Sequence, residues 1–86
     1  MEHLIRYQVE RMLHRKRRNP ALVITPTTRL QQDIGIDSID LVELAINLEL
    51  RFHIEISDAE MEAMRTVQDM LDCVDQHLST PVARRA

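Results

Sequence analysis

The chain contains few glycine, aromatic or cysteine residues. Its 86 residues include one glycine, one cysteine, no tryptophan and 2% aromatic residues. So little glycine leaves few sites for tight hairpin turns, which favours helices over sheets. A single cysteine excludes an intramolecular disulfide, and no apolar run approaches the roughly 18 residues of a membrane span. We therefore expect one small cytoplasmic domain, and the mixed, acidic N-terminus predicts no secretory signal.

Acidic side chains dominate the larger part of the chain. Residues 31–78 carry twelve acidic and two basic side chains, a net charge of −10, whereas residues 1–20 carry six basic and two acidic ones. The acidic part should attract basic partner surfaces and repel nucleic acid and anionic lipid. An alternative is that the basic run at 15–18 contacts nucleic acid or a membrane. A basic run this short is more typical of a helix C-terminus, where the unpaired carbonyls stabilise cations.

Apolar periodicity and capping residues predict an all-α, four-helix bundle. The predicted helices cover about residues 2–18, 38–51, 58–64 and 67–78. Capping boxes are predicted at Asp37-x-x-Asp40, Ser57-x-x-Glu60 and Thr66-x-x-Asp69. The third helix is short, and the long first connection, over 20–36, is apolar enough to be held against the core. We predict one domain over 1–78 and a frayed tail over 79–86.

The second helix has more apolar surface than a bundle requires. On a helical wheel, one face provides the core residues Leu41, Leu44, Ala45, Leu48 and Phe52. A second strip, called the ridge below, consists of Ile39, Val42, Ile46 and Leu50. Glu43 and Glu49 flank the ridge. An apolar centre with a charged rim favours a protein-docking surface over additional core.

Ser38 lies at the start of this helix, three residues after the single glycine, Gly35. If Asp37 caps the helix, the Ser38 hydroxyl lies near the positive end of the helix dipole, where a phosphate is stabilised. Gly35 would allow a sharp turn or a close backbone approach. The residues alone favour a plain helix-terminal serine. A nucleophilic serine is disfavoured because the Gly-x-Ser-x-Gly motif is missing.

The remaining reactive side chains form no recognisable site in the sequence. The four histidines fall on different elements, and none has a spacing that demands a catalytic triad or a metal; they are His3, His14, His53 and His77. We predict no metal site. Cys73 lies at the edge of the apolar stripe of the last helix and is predicted to be a small buried residue.

A known family pattern runs through residues 25–78. The stretch that carries it reads DIGIDSIDLVELAINLELRFHIEISDAEMEAMRTVQDMLDCV. It resembles the acyl carrier protein family, whose pattern is Asp-Leu-Gly-x-Asp-Ser-Leu, Val-Glu-Leu, Glu-x-x-Phe-Gly-Ile-Glu-Ile-Pro-Asp and Thr-Val-x-Asp. The matching positions are Asp33, Gly35, Asp37, Ser38, Val42, Glu43, Leu44, Glu49, Phe52, Ile54, Glu55, Ile56, Asp58, Thr66, Val67 and Asp69.

The resemblance implies that Ser38 receives 4′-phosphopantetheine from coenzyme A through a phosphopantetheinyl transferase. The protein would be a monomeric carrier and no enzyme, presenting thioester-bound acyl groups to acyl-loading, condensing or acyltransferase enzymes with basic patches. Partner contacts are implied at Asp37, Ile39, Asp40, Val42, Glu43, Ile46 and Glu49, and the ridge adds Leu50. The implied cargo pocket is lined by Leu48, Ile56, Met61 and Met64.

Departures from the family pattern favour a specialised carrier over the housekeeping fatty acid carrier. Leu50 and Arg51 stand where acidic residues are usual, and His53 replaces a glycine. Two alternatives stay open at this point. One is a stand-alone aminoacyl or peptidyl carrier loaded by an adenylating ligase, and the other is a small scaffold that has lost its modification.

Overall fold

The structure, a computed structural model, describes residues 2–79, with side chains from residue 4 onward. This part of the chain folds into four α-helices: α1 (Glu2–His14), α2 (Ser38–Phe52), α3 (Asp58–Ala63) and α4 (Val67–Ser79). The predicted all-α, four-helix architecture with a short third helix and a long first connection is confirmed. Ser79 is the last residue of α4, and the rest of the predicted tail lies outside the described residues.

The first helix is shorter than the sequence suggested. Its predicted end at residue 18 is wrong, because α1 stops at His14 and the basic run follows it in a turn. The backbone amides of Lys16 and Arg17 both donate to the Leu13 carbonyl, at 2.9 and 3.2 Å. The amide of Arg18 instead donates to the Ile34 carbonyl at 3.1 Å. Tertiary contacts of the basic residues thus override the local helical preference.

The core lies between α1, α2 and α4. The side chains at its centre are at most 1% exposed: Val9, Leu13, Leu30, Ile34, Leu44, Leu48, Val67, Met70 and Val74. Their spacing of three and four residues along each helix places them on one face, as the apolar periodicity predicted. Cys73 is buried beside them, and burial and then the Glu60 carboxylate raise the pKa of its thiol to about 11.

The long connection is ordered by its own buried side chains. Ile24, Leu30, Ile34 and Ile36 are all buried, whereas Val23 is 75% exposed and does not contribute to the core. Residues Leu30–Ile34 form a π-helical turn that the sequence analysis did not anticipate, with the Gly35 amide donating to the Leu30 carbonyl at 3.1 Å. Because Leu30 and Ile34, at the two ends of this turn, are both buried, the backbone that leads into α2 is held in place.

Backbone hydrogen bonds join the connection to the start of α4. The Leu30 amide donates to the Arg65 carbonyl at 2.9 Å, and the Val67 amide donates to the Thr28 carbonyl at 3.0 Å. Thr66 and Asp69 cap α4 reciprocally, as predicted, with the Asp69 amide donating to Thr66 Oγ1 at 3.2 Å. The connection is therefore held at the same end of the bundle where α2 begins.

The short helix α3 depends on its cap and its neighbours. Ser57 and Glu60 form the predicted capping box, with amide-to-side-chain distances of 3.0 and 3.1 Å. None of its six residues is fully buried. A helix of only six residues is not stable alone, so its position is set by contacts with α2 and α4.

Candidate functional site

The predicted capping box at the start of α2 is present. Asp37 is extended, with φ −95° and ψ −176°, and its Oδ1 accepts from the Asp40 amide at 2.8 Å. Asp40 Oδ2 accepts in turn from the Asp37 amide at 3.4 Å. Ser38 is thus the first residue of α2, and it is exposed. The first amides of a helix have no carbonyl partner within it, so the Ser38 hydroxyl stands in a field that stabilises an anion.

Gly35 fixes the backbone just before this helix. Its φ is +90°, in the left-handed region that favours glycine. The Arg18 side chain crosses it so closely that a Cβ at position 35 would lie 2.6 Å from Arg18 Cδ. Arg18 Nε donates to the Gly35 carbonyl at 2.9 Å. Both predicted uses of the glycine, the turn and the close approach, are observed, and the approaching group is a side chain of the basic run.

Lys16 reaches the same helix start from the other end of the connection. Its Nζ donates to Asp40 Oδ1 at 3.2 Å and to Glu43 Oε1 at 2.6 Å. Hydrogen bonds to Glu43 and then Asp40 raise the pKa of Lys16. The pKa of Asp40 is lowered, first by the Asp37 amide and then by Lys16. Sequence analysis missed this cluster, since nothing local links Lys16 to acids 24 and 27 positions later.

A groove opens beside Ser38 between α2 and α3. It encloses about 430 Å³, and its lining residues are Gln31, Gln32, Ser38, Leu41, Val42, Met61, Glu62, Met64 and Arg65. The apolar wall formed by α2 and the two methionines suits a flexible, largely apolar group. The lining contains one exposed cation, Arg65, and one exposed anion, Glu62. These features fit a phosphate-linked arm attached at Ser38.

The predicted cargo-pocket residues are distributed between the core and two grooves. Met61 and Met64 line the groove beside Ser38. Ile56 instead lines a second groove of about 650 Å³, together with Leu50. Leu48 is 0% exposed and lies in the core. Met64 also lies in the core, at 6% exposure, in the same cluster as Leu48, and Ile56 packs against that cluster. A cargo pocket lined by these residues stays a prediction.

The ridge is exposed along its whole length. Ile39 is 69% exposed and Leu50 is 71% exposed, with Val42 and Ile46 between them at 42% and 48%. These side chains do not serve as additional core in this chain. At the C-terminal end of α2, Arg51 Nη1 donates to Gln8 Oε1 of α1 at 3.4 Å. That arginine therefore turns away from the ridge and toward α1.

The acids beside the ridge already have partners within the chain. Asp40 and Glu43 contact Lys16, as described above. Glu49 Oε2 accepts from the Ile56 amide at 2.8 Å, so this carboxylate holds the α2–α3 connection. Asp37 caps α2. All four carboxylates that the family pattern places at partner surfaces thus have a partner within the chain. Asp37, Asp40 and Glu49 accept backbone hydrogen bonds, and Glu43, at 56% side-chain exposure, pairs with Lys16.

Comparison with known proteins identifies the family. The profile of the family described as phosphopantetheine attachment site matches residues 5–74, which is most of the chain. The chain belongs to this family, whose members carry covalently attached 4′-phosphopantetheine. Its similarity is to acyl carrier proteins, which are carriers and not enzymes.

Individual relatives agree with this assignment. An acyl carrier protein from Syntrophobacter fumaroxidans is 46% identical over 50 residues, which are 58% of this chain and only 62% of that protein's length. A candidate acyl carrier protein from Mycobacterium tuberculosis gives a TM-score of 0.75 at 29% identity, over 84% of this chain and 96% of that chain. The apo doublet acyl carrier protein from prodigiosin biosynthesis gives 0.69 at 26% identity, over 93% and 40% respectively. Among residues 2–79, every helix is too short or too polar to cross a bilayer.

Proposed function

We propose that Ser38 is the residue that carries 4′-phosphopantetheine, and that the chain presents acyl groups to enzymes of a specialised fatty acid, polyketide or lipid pathway. The observation that carries this proposal is the exposed Ser38 hydroxyl at the first position of α2, beside a groove with an apolar wall. Once attached, the arm supplies a terminal thiol that holds the acyl group as a thioester.

The chain's own residues support attachment and presentation. Asp37 and Gly35 hold the start of α2, so that Ser38 Oγ faces solvent and is accessible to a phosphopantetheinyl transferase. The helix dipole favours the negative phosphate that would link the arm to Ser38, and Arg65 supplies a cation in the same groove, which Glu62 partly offsets. Met61 and Met64 have flexible, polarisable side chains, which suits a groove that holds different occupants.

The attachment can be tested by intact-mass spectrometry. Incubation with a promiscuous phosphopantetheinyl transferase and coenzyme A should add the mass of one arm to the full chain and nothing to a Ser38→Ala variant. Ser79→Ala provides the matched control, because Ser79 is another exposed helix-terminal serine and should leave modification complete. An unmodified wild-type chain, or an equally modified Ser38→Ala variant, would refute the assignment.

We also propose that the ridge is the surface through which partner enzymes dock. Its apolar side chains are exposed, and Lys16 partly neutralises the neighbouring acids, so binding here should depend more on apolar contact than on charge. Replacing Ile46 by serine should raise the KM for the transferase several-fold. Asn47→Ser, one position along and also exposed, should leave it unchanged; equal effects of the two variants would exclude the ridge.

The cargo can be identified from the protein isolated from its own source. Native mass spectrometry should show an acyl group on the Ser38-linked arm, and the mass of that group would indicate the pathway. The similarity to a carrier from prodigiosin biosynthesis supports a specialised route, as does the exposed apolar side chain of Leu50 at the C-terminal end of the ridge. An aminoacyl group, together with loading by an adenylating ligase, would instead support an aminoacyl or peptidyl carrier.

A further inference from the structure

Three potential metal ligands meet between α3 and α4, away from Ser38. Cys73 and His77 lie four residues apart on α4, which places them on one face of the helix. Glu60 of α3 faces both side chains. Its Oε2 lies 2.7 Å from His77 Nε2 and 3.7 Å from Cys73 Sγ, and all three ligand atoms lie within 4.8 Å of one another.

We propose that Glu60, Cys73 and His77 bind a Zn²⁺ ion that joins α3 to α4. A thiolate, an imidazole and a carboxylate together are a typical zinc ligand set. Tetrahedral zinc with its usual bond lengths separates neighbouring ligand atoms by about 3.3–3.8 Å. The Sγ–Oε2 distance already falls in that range. The Oε2–Nε2 distance must lengthen by roughly half an ångström, which a small side-chain rotation provides.

The surroundings of the three side chains suit a site with one open position. The side chains of His77 and Glu60 are 15% and 37% exposed, so water can complete the coordination. Glu60 Oε1 accepts from the Ser57 amide at 3.0 Å, which orients the carboxylate while Oε2 stays available. On binding, Cys73 forms a zinc–sulfur bond and releases its thiol proton to solvent. His77 binds through unprotonated Nε2 and keeps its proton on Nδ1.

A zinc ion at this position would restrain α3. This helix has six residues, none fully buried, and its Glu60 contact with α4 is one of the interactions that position it. Met61, the next residue along α3, lines the groove beside Ser38. Zinc binding would therefore stiffen one wall of that groove without contacting Ser38.

The test uses the full chain with Ser38→Ala, since this variant cannot carry a second thiol on an arm and its result does not depend on the proposed function. Titration of the metal-free, reduced protein with Co²⁺ should produce a cobalt–thiolate charge-transfer band at one equivalent. Cys73 is the only cysteine, so the band would identify it as a ligand. Zn²⁺ should displace Co²⁺ and raise the Tm.

Single-ligand variants then test the assignment in the same background. Cys73→Ser, His77→Gln and Glu60→Gln should each weaken Zn²⁺ binding by at least about 10-fold, and Cys73→Ser should abolish the band. The matched controls are His14→Gln and Glu62→Gln, which change an exposed histidine and an exposed glutamate and should bind like the parent. Circular dichroism confirms folding of each variant, and His77→Gln decides the test if Cys73→Ser does not fold. Absence of the band and of stoichiometric binding, or binding unchanged in His77→Gln, would overturn the proposal.

Discussion

The ammonium group of Lys16 lies 2.6 Å from a carboxylate oxygen of Glu43, on the helix that begins at Ser38. A cation from the turn after α1 thus occupies the acidic side of α2 within the chain itself. A basic partner surface that approached this side would have to compete with Lys16 for Glu43 and Asp40. The electrostatic attraction expected from the net charge of residues 31–78 is therefore weakened next to the proposed attachment residue.

Removing the Lys16 charge should make the chain a better substrate for a transferase with a basic surface. In Lys16→Met the aliphatic stem remains but the ammonium is lost, so Asp40 and Glu43 become available to the partner. We expect kcat/KM for phosphopantetheinyl transfer to rise several-fold at low salt and the gain to shrink as salt screens the interaction. Steady-state transfer rates at several salt concentrations measure both effects.

Arg15→Met is the matched control for this prediction. It removes the same unit of charge from the same turn, at a residue that is exposed. Because long-range steering depends on total charge, the control should show a small rise at most. Equal gains in the two variants would mean that Lys16 acts through net charge and not by occupying the two acids.

The same cluster predicts how stability depends on pH. The pKa of Lys16 is raised above its ordinary 10.5, chiefly by Glu43, so its contribution is complete below that pH and is lost as pH rises through the higher folded-state value. The pKa of Asp40 is lowered below its ordinary 3.8, so its contribution is complete above that pH and disappears as pH falls through the lower value. Between these limits Lys16→Met should unfold at lower urea concentration than the wild type. The difference should shrink as the pH falls below 3.8, and a difference that persists unchanged in acid would contradict the ion-pair assignment.

Gly35 should tolerate no side chain, for two separable reasons. Its φ of +90° costs an L-residue about 1–2 kcal/mol, and a new Cβ would displace Arg18 from its hydrogen bond with the Gly35 carbonyl. Gly35→Ala should therefore lower the free energy of unfolding by at least about 1–2 kcal/mol, measured by urea denaturation. Adding Arg18→Ala removes the clash but not the backbone strain, so the double variant should be no less stable than Gly35→Ala alone. A fully restored stability would show that the clash is the whole effect.

Local signals in the sequence accounted for most of the helices and for the start of α2. The capping pair of Asp37 and Asp40 and the division of α2 into a core face and the ridge follow from spacings within one or two turns, and both are present in the structure. The unusual backbone conformation of Gly35 could be predicted for the same reason, because a single glycine just before a helix cap is typical of such a conformation.

Features that depend on contacts between residues far apart in the sequence could not be predicted. The end of α1 shifted to His14 because residues of the basic run bind atoms of α2 and of the connection. Leu48 shares the apolar character of a pocket residue, and only packing shows that it is fully buried. The Cys73–His77 spacing of four was a usable signal for a common face, but nothing in the sequence placed Glu60 beside it.

The different environments of Leu48 and Leu50 can be checked by truncation. Leu48 is 0% exposed, so Leu48→Ala leaves a cavity in the core and should cost about 2–5 kcal/mol of unfolding free energy. Leu50 is 71% exposed, and Leu50→Ala should change stability by no more than about 0.5 kcal/mol. Chemical denaturation of both variants provides the comparison. A small effect at Leu48 would indicate that it borders an adaptable cargo space, as the family resemblance first suggested.

His53 offers a site where glycine should stabilise the protein. It ends α2 in the left-handed conformation, with φ 56° and ψ 49°, where a residue with a Cβ is strained. Glycine relieves that strain but increases the entropy of the unfolded chain, so His53→Gly should gain about 0.5–1 kcal/mol net. Asn47→Gly, in the exposed interior of the same helix, should lose about 0.3–0.5 kcal/mol, because asparagine is already a poor helix former. Urea denaturation measures the change in the free energy of unfolding, which should be a gain for His53→Gly and a loss for Asn47→Gly. A loss for both variants would mean that the His53 imidazole makes a contact that outweighs the backbone strain.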